Sequence, residues 1–165
     1  MLLKQRIKDD VIVAMKAKNV ELSAVLRLVL AAVNSKEKEK HYSIAKEKPE
    51  MKEEELKAMS ELTDEETLTT ISSEIKKRRD AIALYEQGGR PELADVEKKE
   101  IAILQTYLPE QLSVEELRVL VKEAVAATGA TTIKDMGKVM ADLAPKVKGK
   151  AEGSQVSAAV KELLK

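Results

Sequence analysis

Apolar residues recur every three or four positions through most of the chain, the spacing of one face of an α-helix. Leu3, Ile7, Val11, Ala14 and Met15 form a first stripe, which Asn19 interrupts. Leu22, Val25, Leu26, Val29, Ala32 and Val33 form a second, wide enough to pack between neighbours. Lys36 to Glu61 is dominated by Lys and Glu and contains Pro49, so it is expected to be solvated helix ends and a mobile connection. Thr63 and Glu66 then have capping-box spacing, and Leu68, Ile71, Ile75, Ile82 and Tyr85 carry a third stripe to Gln87. Gly88 suits the left-handed position that closes that helix.

Pro91 opens a fourth helix, which buries Leu93, Val96, Ile101 and Leu104 and stops before Pro109. Ser113 and Glu116 make another capping box, followed by Leu117, Leu120, Val121, Ala124 and Val125 and then Gly129. Thr132 and Asp135 start a short helix that turns Met136, Val139, Met140 and Leu143 inward and is expected to end at Pro145. A last helix from about Ser154 buries Val156, Ala159, Val160 and Leu163. No strand-like alternation and no repeat of fixed period interrupts this pattern. The prediction is an all-α protein, with a four-helix N-terminal domain over 1–108 and a three-helix C-terminal domain over 109–165.

Composition narrows the chemistry. The 165 residues include no Cys, Phe or Trp, three Tyr and one His. Thiolate zinc sites, disulfides and cysteine nucleophiles are therefore excluded, and base stacking on aromatic platforms has little to work with. The N-terminal stretch is neither a secretory signal nor a membrane span, so a cytoplasmic protein is expected. Formal charge is zero overall but uneven: +4 over 1–36, −5 over 37–66, −1 over 67–110 and +2 over 111–165. Any nucleic-acid contact must come from a local patch rather than from a generally basic surface.

His41, alone in the Lys/Glu-rich connection, is expected to be a solvated surface residue with no triad or metal partners. No phosphate-loop or dinucleotide fingerprint is present. Two basic groups remain. Lys76, Lys77, Arg78 and Arg79 sweep around a helix rather than sharing a face, and are secondary candidates. In "PKVKGKAEGSQ", Lys146, Lys148 and Lys150 alternate, so extended backbone would put all three ammonium groups on one side. Gly149 allows close approach of a ligand, while Gly153 and Ser154 open a helix whose positive end attracts anions. This is a phosphate-facing constellation suited to folded RNA, read through phosphates, ribose hydroxyls and shape.

Three segments, "SAVLRLVLAAVN" at 23–34, "EIKKRRDAIALYEQGGRPELADVEKKEIAILQTYLPEQLS" at 74–113 and "DMGKVMADLAPKVKGKAEGSQVSAAVKELL" at 135–164, together resemble the YqeY family. The resemblance implies an all-helical fold of four helices followed by three. The same module is found as the C-terminal tail of the B subunit of the glutamine-dependent amidotransferase that corrects mischarged tRNA, where it is associated with tRNA binding. It thus implies a tRNA-recognition module without catalytic residues, metal or cofactor. The implied partners are tRNA and an amidotransferase or translation-linked protein, with no DNA and no membrane.

Gly137 and Lys138 fall on the family-like "GK" positions, and Gly149 and Gly153 on its "G-x-x-x-G" positions. Lys150 and Glu152 stand where "GRADG"-like sequences carry Arg and Asp. The alternatives are a helical protein-interaction module and, by kinship alone, a carbon–nitrogen ligase using glutamine as amide donor.

Overall fold

Asn19 accepts a hydrogen bond from the Leu22 N–H at 3.1 Å and starts a helix that runs unbroken for 28 residues. The computed structural model describes residues 2–164, and among these are eight α-helices, one 3₁₀ turn and no strand. The chain divides between Tyr107 and Leu108 into two units. The first holds α1 (Leu3–Lys16), α2 (Val20–Glu47), α3 (Glu53–Ser60), α4 (Asp64–Gln87) and α5 (Pro91–Gln105). The second holds α6 (Val114–Thr128), the 3₁₀ turn Ile133–Asp135, α7 (Met136–Val147) and α8 (Gly153–Leu163).

The N-terminal unit therefore has five helices where periodicity gave four. The Lys/Glu-rich segment is mostly helical: it supplies the C-terminal half of α2 and all of α3. Ion pairs across helices replace the apolar stripe that is missing there. Glu37 on α2 pairs with Lys4 on α1 and accepts from the Leu62 N–H at 3.2 Å. Lys40 donates to both carboxylate oxygens of Glu66 at 2.9 Å and to the Glu61 carbonyl at 3.1 Å. His41 is not simply solvated, because its ring lies 3.5 Å from the Ser60 hydroxyl and 3.7 Å from Glu53, two residues of α3.

Glu66 also completes the capping box with Thr63, so one carboxylate serves both the α4 start and the α2 contact. The Lys40 hydrogen bond, followed by the Thr63 N–H, holds its pKa below the usual carboxylate value. A depressed carboxyl contributes stability above its unfolded pKa and loses it as pH falls through the lower folded value. The melting-temperature gap between the native protein and Glu66→Gln should accordingly be full at neutral pH and close on acidification below about pH 4.5. Thermal melts of both proteins across pH 3–7 check this, and a gap independent of pH would refute it.

Fully buried Ile7, Leu26, Val29, Ile71 and Leu104 form the centre of the first unit. Tyr107 closes it: its hydroxyl donates to Asp10 at 2.6 Å, and the Arg6 guanidinium lies 4.9 Å from its ring centroid. Burial first, then the Asp10 bond, raises the Tyr107 pKa far above its ordinary value. The second unit is centred on Val121, Val139, Leu143, Val156 and Val160.

Several inward assignments are corrected. Met15 and Val96 are exposed, with Val96 about 200° around the helix from buried Ala94. Leu163 is exposed as well, because α8 ends there and the extended backbone at Leu164 turns that side chain into the core instead. Gly88 has φ −81°, and it is Gly89, at +67°, that takes the left-handed conformation. No helix among the described residues is long and apolar enough to cross a membrane.

Candidate nucleic-acid interface

Pro145 does not stop α7, which continues to Val147. A proline near a helix C-terminus forfeits one bond, here to the Ala141 carbonyl, and Ala141 is exposed to water. As a result Lys146 is helical rather than extended, and the three lysines do not alternate along a strand. Lys146 instead pairs with Asp142 one turn earlier at 2.7 Å. Lys138, also on α7, lies 3.6 Å from Asp135 with 72% of its side chain exposed.

What remains of the predicted loop is a tight backbone turn between α7 and α8. Lys148 caps α7, Gly149 has φ +73°, and the Lys150 and Ala151 N–H groups both donate to the Val147 carbonyl, at 2.9 and 3.1 Å. A left-handed φ at that place favours glycine. Two residues just before α6 pin the turn from outside. The Leu112 N–H donates to the Lys150 carbonyl at 2.8 Å, and Gln111 Nε2 donates to the Gly149 carbonyl at 2.6 Å. All four contacts use main-chain atoms of the turn, so the exposed Lys148 and Lys150 side chains play no part in them.

Gly153 and Ser154 are the first two residues of α8, as the anion-site reading requires. Glu152 stands at the N-cap, however, with Oε2 3.4 Å from the Ser154 hydroxyl. That carboxylate makes no capping bond to the α8 backbone, but its negative charge beside the first turn weakens the attraction of an external phosphate there. Glu152 was visible in the sequence but its place at the α8 N-cap was not, and nothing there marked Gln111 and Leu112 as positioning residues. Only their distance in sequence from the turn, 38 residues in each case, explains why no local signal marks them.

The secondary basic run lies in the other unit and is largely committed. Arg78 is buried, with Nε 2.8 Å from Glu100 and 3.9 Å from Glu97, and a further pair to Glu74 at 3.3 Å. Lys77 pairs with Glu74 at 2.6 Å. Arg79 is half-buried, and desolvation lowers its pKa. Lys76 alone of the four is exposed without an ion pair among the described residues. Arg78 is accordingly withdrawn as a surface contact.

The family model described as "Yqey-like protein" matches residues 4–164, spanning both units. The chain belongs to the YqeY family. No curated protein matches the chain. In this YqeY-family member, position 150 carries the point charge of a lysine rather than the planar fork of an arginine.

The YqeY chain also brings a serine, its histidine and a glutamate together as Ser60, His41 and Glu53. The Ser60 hydroxyl donates to the Lys57 carbonyl at 2.8 Å and the residue is only 5% exposed. Its proton is therefore directed away from the imidazole, which does not fit an activated nucleophile.

Proposed function

We propose that this protein is a tRNA-binding module without an active site of its own, linked to the glutamine-dependent amidation of mischarged tRNA. Family membership and the α7–α8 turn support the reading. The observation that carries it is the exposure of the Lys148 and Lys150 side chains on a turn that Gln111 and Leu112 hold through its main-chain carbonyls. Lys138 and Lys146 flank the turn on α7, each shared with an aspartate, and contribute less. Gly149 brings the backbone close to a phosphate, while Ser154 offers a hydroxyl at the start of α8.

The test is binding to total tRNA over a salt series, with duplex DNA as competitor. Each phosphate contact contributes roughly 0.7–0.9 to the slope of log affinity against log salt. The double variant Lys148→Glu/Lys150→Glu should bind at least about tenfold more weakly and flatten the slope by roughly 1.5. An unchanged slope would remove the turn from the interface. No binding by the native protein would transfer the reading to a protein partner, an amidotransferase or translation-linked protein. Exposed Ile12, Val13, Met15 and Val20 near the α1–α2 turn favour that alternative.

A further inference from the structure

Three helices, α1, α4 and α6, end in the same way. The N–H of the residue after a left-handed position donates to the carbonyl five residues earlier: Asn19 to Ala14 at 2.9 Å, Arg90 to Tyr85 at 2.8 Å and Ala130 to Val125 at 3.2 Å. Glycine takes the left-handed position after α4 and α6, as Gly89 and Gly129. After α1, at the corner leading into α2, that position holds Lys18 at φ +56°, the one non-glycine residue with positive φ among those described. A side chain kept where glycine would be less strained points to a demand on that side chain. Folding does not supply the demand. Lys16 already places a cation in the last turn of α1, and Lys18 is exposed, with no ion pair among the described residues.

The corner around Lys18 is apolar and open to water. Residues 15–21 are all exposed, and Ile12, Val13, Met15 and Val20 are large apolar residues each more than half exposed. Lys16 and Lys18 fall between Met15 and Val20 in the chain. Of the nearby acids, Asp10 accepts from Tyr107 and Asp9 from Gln5, while Glu21 lies in the first turn of α2, where the helix dipole offsets its charge. The apolar residues taken alone suit a protein partner, and the lysines among them separate the cases, because lysine is depleted from the cores of protein interfaces. Four aliphatic side chains, in turn, offer nothing to the phosphates of an RNA. Lysines interleaved with aliphatic residues on an exposed corner fit an anionic lipid surface. There the apolar groups enter the boundary between headgroups and acyl chains, and the ammonium groups stay at headgroup level.

We infer that the α1–α2 corner is a contact for anionic lipid surfaces, with Ile12, Val13, Met15 and Val20 entering the bilayer boundary and Lys16 and Lys18 meeting headgroup phosphates. The association is with the surface alone, since no helix among the described residues is long and apolar enough to cross a bilayer. It is independent of tRNA binding at the α7–α8 turn.

The test is co-sedimentation of the full chain with vesicles at low salt, one set of phosphatidylcholine alone and one with about a third phosphatidylglycerol. The native protein should bind the anionic vesicles at least about tenfold more tightly than the neutral ones. Lys18→Gly should weaken that binding about fivefold, the worth of one lysine near an anionic surface, yet raise the melting temperature by roughly 2–6 °C as the backbone strain is released. Opposite signs for binding and stability separate a lipid contact from a structural role. Val13→Ser/Val20→Ser, at two exposed positions, should weaken binding at least about tenfold and move the melting temperature by under about 2 °C. Absence of binding to anionic vesicles would overturn the inference and leave the corner to a protein partner. Equal binding to neutral vesicles would overturn it too, as would a Lys18→Gly variant that melts below the native protein or binds as tightly. Binding that excess tRNA displaces and Val13→Ser/Val20→Ser leaves intact would assign the lysines to RNA instead.

Discussion

Arg78→Ala should destabilise the N-terminal unit by about 3–5 kcal/mol, the usual cost of removing one partner from a buried ionic cluster. The Arg78 side chain is 8% exposed, and the carboxylates of Glu74, Glu97 and Glu100 around it are 14%, 24% and 21% exposed. Without the guanidinium, three partly desolvated carboxylates remain close together, and of them only Glu74 keeps a cation among the described residues, Lys77 at 2.6 Å. Its NH1 group also donates to the Glu74 carbonyl at 3.2 Å, which ties the cluster to the α4 backbone. Arg78→Lys should recover only part of the loss, because an ammonium cannot serve Glu74 and Glu100 with the geometry of a fork. Melting temperature is the readout, with a fall of roughly 15 °C or more for alanine. A fall of under about 3 °C would mean that water, not Arg78, compensates the carboxylates.

Leu143→Ala should unfold the C-terminal unit while the N-terminal unit stays folded. Leu143 is fully buried at the centre of the α6–α8 cluster, and an unfilled cavity there costs about 2–5 kcal/mol. A unit formed by residues 108–165 has little in reserve, since cores of that size seldom supply more than about 3–5 kcal/mol. Hydrogen exchange distinguishes the two units residue by residue. Amides such as those of Val121 and Val160 should lose protection, while those of Leu26 and Ile71 keep theirs. Loss of tRNA binding in the same variant would place recognition in the smaller unit. Protection retained in both units would show that the core closes around the missing atoms.

The parts of this architecture legible in the sequence are those whose physics is local. Thr63 with Glu66 and Ser113 with Glu116 are capping boxes in the structure as in the sequence, because the bonds that define them span three residues. Gly129 closes α6 at φ +63° for the same reason. The stripe Ile7, Val11, Ala14 was legible because a buried helix face repeats within the helix itself.

The continuation of α2 and the existence of α3 were not. Their apolar signal is thin, and the contacts that hold them, Lys4 to Glu37 and Lys40 to Glu66, join residues 33 and 26 positions apart. A run of Lys and Glu reads as solvent-facing when its partners lie on another helix. Arg78 was named as a surface candidate because the three acids on two helices that surround it leave no local signal of burial, and Pro145 misled because a proline in a last turn costs less than one in mid-helix. At the candidate site, the lysines and glycines were visible, but their arrangement was not. It depends on Gln111 and Leu112 reaching the turn from before α6, and on Glu152 standing at the α8 N-cap.

The main-chain tether of the α7–α8 turn separates two properties that proteins often couple. Shape there is set by Gly149 and by carbonyls that any residue at 148 or 150 would supply, whereas the charge presented at those two positions is set by their side chains. Relatives could therefore exchange these positions among lysine, arginine and neutral residues and retune which polyanion they hold, at what salt and how tightly, with folding left untouched. Recognition at this turn is an adjustable setting on a fixed mount.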